Sequence, residues 1–195
     1  MAHESLKLGD LCTVMTGAPM SRAKKLAEGE AGTQAKVLTP RSMDGGRIVD
    51  GEVACETISK VKDDLFTREG DVIVKASTPY DCVYVDETHE GILVASFALM
   101  VRAKPGSGLD MRYLAAYLNQ PQIRSVLQGL SKGMTLQLIK QKDLAALEIP
   151  IVSAAQQVRL AALFENTQKR KAQCLLLMEK SDKLLEAEFS KTVFD

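Results

Sequence analysis

The chain has 195 residues, 46% of them apolar, with 25 basic against 25 acidic side chains. That length accommodates one ordinary domain plus an appendage, and the neutral balance gives no support to a strongly basic nucleic-acid binder. Four cysteines without a C-x-x-C pair, and only two histidines (His3 and His89), argue against a zinc site, while the longest apolar run, Gly91 to Val101, is too short to span a bilayer.

Leu6 to Gly17 alternates weakly and ends in the turn signal Gly17-Ala18-Pro19. Ser21 to Gly32 is small, polar and charged, which fits an exposed loop or short helix. Ala35 to Leu38 is a candidate strand, and Asp44-Gly45-Gly46 marks a hairpin turn. Asp71-Val72-Ile73-Val74-Lys75 reads as a strand after a Gly-Asp turn, Ser77-Thr78-Pro79-Tyr80 as a loop, and Cys82 to Val85 as a further strand. Ile92 to Val101 holds one or two β runs, closed by Pro105-Gly106-Ser107-Gly108.

Helical spacing then takes over. Asp110 caps a helix through Met111, Leu114, Ala115 and Leu118, and Pro121 opens a second one through Ile123, Val126 and Leu127 that stops near Gly129. Ser131 to Thr135 is a loop, Leu136 to Ile139 a candidate strand, Lys140 to Ala145 a helical turn, and Leu147 to Pro150 a short strand.

All thirteen glycines and all six prolines lie at or before Pro150. Ser153 with Gln156 forms a capping-box pattern, and the sequence beyond is rich in Ala, Leu, Gln, Glu, Lys and Arg, which lose little rotamer freedom in a helix. Some 40 helical residues would reach about 60 Å, against ~30–40 Å for a globular domain, so a projecting rod is expected. Cys174, Leu177, Met178, Ser181, Leu184, Leu185 and Phe189 fall on one stripe of it at spacings of three and four, broadened by Leu175 and Leu176. This stripe is the candidate dimerisation surface. The fold class is α+β: a globular body over 1–150 with a twisted β-sheet and short helices, then a long C-terminal helix over 151–195. The start of the chain has no signal-peptide pattern, so a reducing, cytoplasmic setting is expected. Cys12, Cys82 and Cys174, in apolar surroundings, are expected to be small buried hydrophobes.

This order of elements resembles the specificity subunit of type I restriction–modification systems. Three stretches carry the resemblance: Leu8-Gly9-Asp10 with Gly17; Gly70-Asp71-Val72-Ile73-Val74, a polar loop and Ala98-Leu99-Met100-Val101; and Tyr113-Leu114, Gly133, Ile139, Leu144 and Leu147-Glu148-Ile149-Pro150 before Gln156-Gln157. Members usually carry Glu-Gln at the last position and a second proline; here Gln156-Gln157 stands and that proline is missing. The resemblance implies a target recognition domain followed by a helical spacer, one of each where a full subunit has two, and thus a half subunit. It further implies double-stranded DNA as ligand, a homodimer through the C-terminal helix, methyltransferase subunits and a restriction subunit as partners, no membrane, and no cofactor of its own.

DNA reading needs phosphate anchors and base-edge readers. Candidate anchors near expected loops are Arg22, Lys24, Lys25, Arg41, Arg47, Lys75 and Lys132. Candidate readers are Ser77, Thr78, Tyr80, Thr135 and Gln137, whose hydroxyls and amides can bond base edges. The Gly129 to Thr135 loop is favoured, because two glycines let its backbone approach closely and Val101 to Lys142 carries seven basic residues against one acid. Neither phosphate-binding glycine motif is present. Asp10, Asp71 and His89 could be assembled into an acid–base set, but their spacing does not demand it. A protein-interaction adaptor that dimerises through its helix without binding DNA is the alternative, favoured by the neutral charge.

Overall fold

The computed structural model describes residues 4–25, 31–130 and 138–194. The favoured loop, with Lys132, Thr135 and Gln137, lies mostly outside them.

The centre is a four-stranded antiparallel sheet. β2 (Cys12–Thr16) pairs with β10 (Ala98–Ala103), which pairs with β7 (Val72–Lys75), which pairs with β8 (Cys82–Tyr84). Both faces are covered, which accounts for the unbroken apolar runs. On one face Val72, Val74, Leu99 and Val101 pack with Leu114 and Leu118 of α3 (Met111–Leu118), Leu127 of α4 (Pro121–Leu130) and Leu144 of α5 (Gln141–Ala145). On the other face Ile73, Ala98 and Met100 meet Leu38 and Met43.

Leu38 ends β3 (Thr33–Leu38), the middle strand of a second sheet. β3 runs antiparallel to β6 (Ala54–Ile58) and parallel to β9 (Leu93–Val94). Between β3 and β6, Met43–Asp44 (β4) and Arg47–Ile48 (β5) form the hairpin expected from Asp44-Gly45-Gly46. Gly45 and Gly46 have φ of 56° and 80°, the left-handed pair a two-residue turn requires. Gly17 follows β2 where the two sheets meet. A Cβ there would stand 2.3 Å from the Ala95 carbonyl oxygen, so only glycine fits.

The weak alternation over Leu6 to Gly17 resolves into two strands, because Leu8–Leu11 coils into one helical turn (α1) that buries Leu8 and Leu11. Before it, β1 (Ser5–Lys7) pairs antiparallel with β11 (Glu148–Pro150), and the bonds Leu8 N–H to Leu147 O (2.8 Å) and Ile151 N–H to Glu4 O (2.8 Å) extend the clasp. The turn after Pro19 is α2 (Met20–Ala23).

The long helix, α6, runs over Ala154–Phe189. Its capping box is present: the Gln156 amide donates to Ser153 Oγ (3.4 Å), and Gln156 Oε1 accepts from the Ser153 amide (3.1 Å). Gln157 is buried and ties elements together. Its Oε1 accepts from the Asp110 amide (2.8 Å) and its Nε2 donates to Val152 O (3.1 Å), while the Asp110 carboxylate caps α3 at the Arg112 and Tyr113 amides. One glutamine thus fixes both the start of α3 and the lead into α6.

Contacts divide the chain into two compact units, Met1–Ala161 and Ala162–Asp195, so the first two turns of α6, with buried Ala161, belong to the globular unit. In the second unit Leu175, Leu176, Leu177, Met178, Leu184, Leu185 and Phe189 are each more than half exposed. Cys174 is exposed as well, which corrects the expectation of a buried thiol: one lone helix gives it nothing to pack against. No helix among the described residues is long and apolar enough to cross a membrane.

Candidate nucleic-acid interface

The loop between β7 and β8 is held from every side. Lys75 N–H donates to Asp81 O (2.9 Å) across its base, and Tyr80 N–H donates to Ser77 O (2.9 Å) within it. Ala76 is bound twice, its N–H to Phe97 O (2.9 Å) and its carbonyl to Ile139 N–H (2.8 Å). The Thr78–Pro79 peptide is cis, and Tyr80 has φ of 59°, an unfavourable backbone for a bulky residue that persists only where the surroundings fix it.

Beneath the loop lies a buried ionic cluster. Asp81, 6% exposed at its side chain, receives Lys75 Nζ (3.1 Å) and Arg124 Nη2 (2.6 Å). The same Arg124 nitrogen reaches Asn119 Oδ1 (2.7 Å), and Asn119 Nδ2 donates to Cys82 O (2.7 Å) and Ala115 O (2.8 Å). Lys75 of β7 and Arg124 of α4 therefore fix the carboxylate that ends the loop, and Asn119, at the end of α3, holds Arg124 in place. Burial pushes the neighbouring Cys82 thiol well up, partly offset by Arg124. What remains outward is Thr78 and Pro79, exposed, with Ser77 half-buried.

Among the expected readers, Ser77 and Thr78 sit on this held loop. Tyr80 does not join them: its side chain is 3% exposed, packed in the core between the sheet and the helices, so it acts as a root of the loop. Lys75, 11% exposed and bound to Asp81, is likewise a buried partner and not a free phosphate anchor. Lys24 pairs with Glu56 at 2.7 Å on the surface. Arg22, Lys25, Arg41 and Arg47 are exposed, with no ion pair among the described residues.

The paper acid–base set is not assembled. Asp71 is gripped by Arg102 (2.7 Å), and His89 sits between Asp86 (2.7 Å) and Asp50 (3.2 Å). No group of three or more His, Cys, Asp or Glu among the described residues is placed to hold a metal ion.

No family model and no curated protein matches this sequence. Solved structures do. An HsdS subunit from Thermoanaerobacter tengcongensis aligns with a TM-score of 0.56 at 17% identity, over 87% of this chain and 38% of that one. A structure described for complex assembly and conformational transition of the type I R-M system aligns with a TM-score of 0.57 at 19% identity, over 96% and 43%. The type I restriction–modification S subunit from M. genitalium gives 0.52 at 11% identity, over 96% and 44%. This is the fold of a type I specificity subunit.

The chain spans about two-fifths of the length of the chains it matches. Within the specificity-subunit fold, sequence reasoning missed β6 and so missed the surface it completes. Gln34 and Lys36 of β3 stand opposite Thr57 and Cys55 of β6, and all four are exposed. Ala-Cys-Glu-Thr-Ile alternates too weakly to announce a strand. The available signal was the parity of β3 itself, whose Ala35 and Val37 turn inward and leave Gln34 and Lys36 outward.

Proposed function

We propose that the chain is a non-catalytic DNA-specificity module of a type I restriction–modification system. It recognises a short half-site through its globular unit, pairs with a second copy through the apolar stripe of α6, and positions methyltransferase and restriction subunits in a cytoplasmic assembly. Any S-adenosylmethionine chemistry belongs to the partner. The observation that carries the reading is the rigid polar loop Ser77–Pro79 on a fold shared with specificity subunits. A loop fixed by a buried ionic cluster presents hydroxyls without an ordering cost on binding, which suits direct readout. Twofold pairing would mirror an inverted, bipartite target.

The adaptor reading keeps one observation in its favour: Lys75 and Lys24, two of the candidate anchors, are occupied by acids. A gel shift with duplex of random sequence separates the two. DNA binding through phosphate contacts gives an affinity that falls steeply between about 50 and 200 mM salt. No shift at the low-salt end removes the DNA reading and leaves the adaptor.

A further inference from the structure

We infer that the β3–β6 ribbon is a second base-reading element, inserted into the major groove of duplex DNA with Gln34, Lys36, Cys55 and Thr57 toward the bases. This rests on the DNA-binding reading above and names a surface within it.

The ribbon is amphipathic by strand parity. Ala35, Val37 and Ile58 pack inward against Ala23 and Leu93, whereas Gln34, Lys36, Cys55 and Thr57 face out. The third strand, β9, pairs only with Val37 and Leu38, so from Thr33 to Lys36 the ribbon is two strands wide among the described residues. A two-stranded ribbon is a width the major groove admits.

The chemistry of the face suits bases better than protein. It holds an amide, an ammonium, a hydroxyl and a thiol, with no carboxylate and no large apolar group. Gln34 Nε2 donates to Thr57 Oγ1 at 2.7 Å, which orients the amide across the strands. A glutamine so held can offer a donor and an acceptor to adenine, and Lys36 can donate to guanine. Charge complementarity to phosphate comes from Lys36 and from α2, which is tied to the ribbon's end by Ser59 N–H to Ala23 O (2.7 Å). α2 and the residues just after it bring exposed Arg22 and Lys25 there.

Cys55 provides a built-in reporter. Native protein is treated with N-ethylmaleimide, with and without a saturating duplex pool of randomised core sequence, and labelling is read peptide by peptide. Cys12 and Cys82 are buried and Cys174 lies on the stripe assigned to pairing, so a thiol introduced by Glu87→Cys, at an exposed position off both surfaces, is the internal control. Bound DNA is expected to slow Cys55 labelling about tenfold and leave the introduced thiol unchanged, since thiol reactivity follows access. Unchanged Cys55 labelling in a sample whose gel shift shows the protein bound overturns the ribbon assignment and spares the DNA reading. Absence of any gel shift overturns both. As a second arm, site selection from the same pool is compared for wild type and Gln34→Ala. Relaxed preference by about 5- to 100-fold at one base pair is expected, with thermal unfolding unchanged. An identical selected site for both proteins also sinks the assignment.

Discussion

Arg102 closes on both carboxylate oxygens of Asp71, Nε to Oδ1 at 2.8 Å and Nη2 to Oδ2 at 2.7 Å. Asp71 is 1% exposed and also accepts from the Arg68 amide, so the Gly-Asp turn ahead of β7 is pinned to β10 across the central sheet. The hydrogen bonds to Asp71 push the Arg102 pKa up against the opposing effect of burial. Removing one partner of such a pair leaves a buried charge. Arg102→Ala should therefore cost about 3–5 kcal/mol in urea denaturation. Arg102→Lys should recover only part, because one ammonium cannot span both oxygens. A midpoint for Arg102→Ala indistinguishable from wild type would show that the pair is dispensable.

Asp81 is the equivalent keystone of the polar loop. Asp81→Asn strips the counter-charge from Lys75 and Arg124 and should destabilise by about 3 kcal/mol. The more specific consequence is local: amide hydrogen exchange at residues 77–80 should rise more than across β10. Uniform acceleration over the whole globular unit would mean that the cluster serves stability alone.

Alkaline stability carries the signature of Cys12. Burial pushes its thiol up to about 11 from an ordinary value of 9, with nearby Lys104 opposing. The folded state then holds this proton more tightly than the unfolded chain. Its contribution is complete below pH ~9 and is lost as pH rises through ~11. Unfolding midpoints at pH 8 and pH 10.5 should therefore differ more for wild type than for Cys12→Ala. Parallel losses in both proteins would assign the slope to other groups.

The stripe on α6 predicts assembly. Light scattering should give twice the chain mass for wild type, and Leu177→Asp with Leu184→Asp should yield monomers. Wild-type mass retained by that double variant would place the pairing surface elsewhere.

Much of this architecture was legible in the sequence because its signals are local. A Gly-Gly pair fixes a hairpin, Asp110 and Ser153 announce their helices by capping chemistry, and the absence of Gly and Pro after Pro150 leaves one helix. What escaped depends on long-range contacts. α1 interrupts the first alternation because Leu8 and Leu11 find a core made by α3 and α5, and β6 exists as a strand because β3 offers it a partner. Tyr80 carried a hydroxyl in a loop and so read as a surface contact, whereas its left-handed backbone turns the ring into the core. Lys75 read as a free cation because Asp81, six residues on, comes to face it only once the loop is folded.

The β1–β11 clasp has a corollary for how such a chain can be assembled. The way into the globular unit and the way out lie side by side, on neighbouring strands. A length of sequence from Ser5 to Pro150 can thus be transplanted or repeated through two adjacent splice points, with every internal ladder left uncut. Exchange at that seam would still have to keep the bond from the Asp110 amide to Gln157, which lies on the α6 side of it.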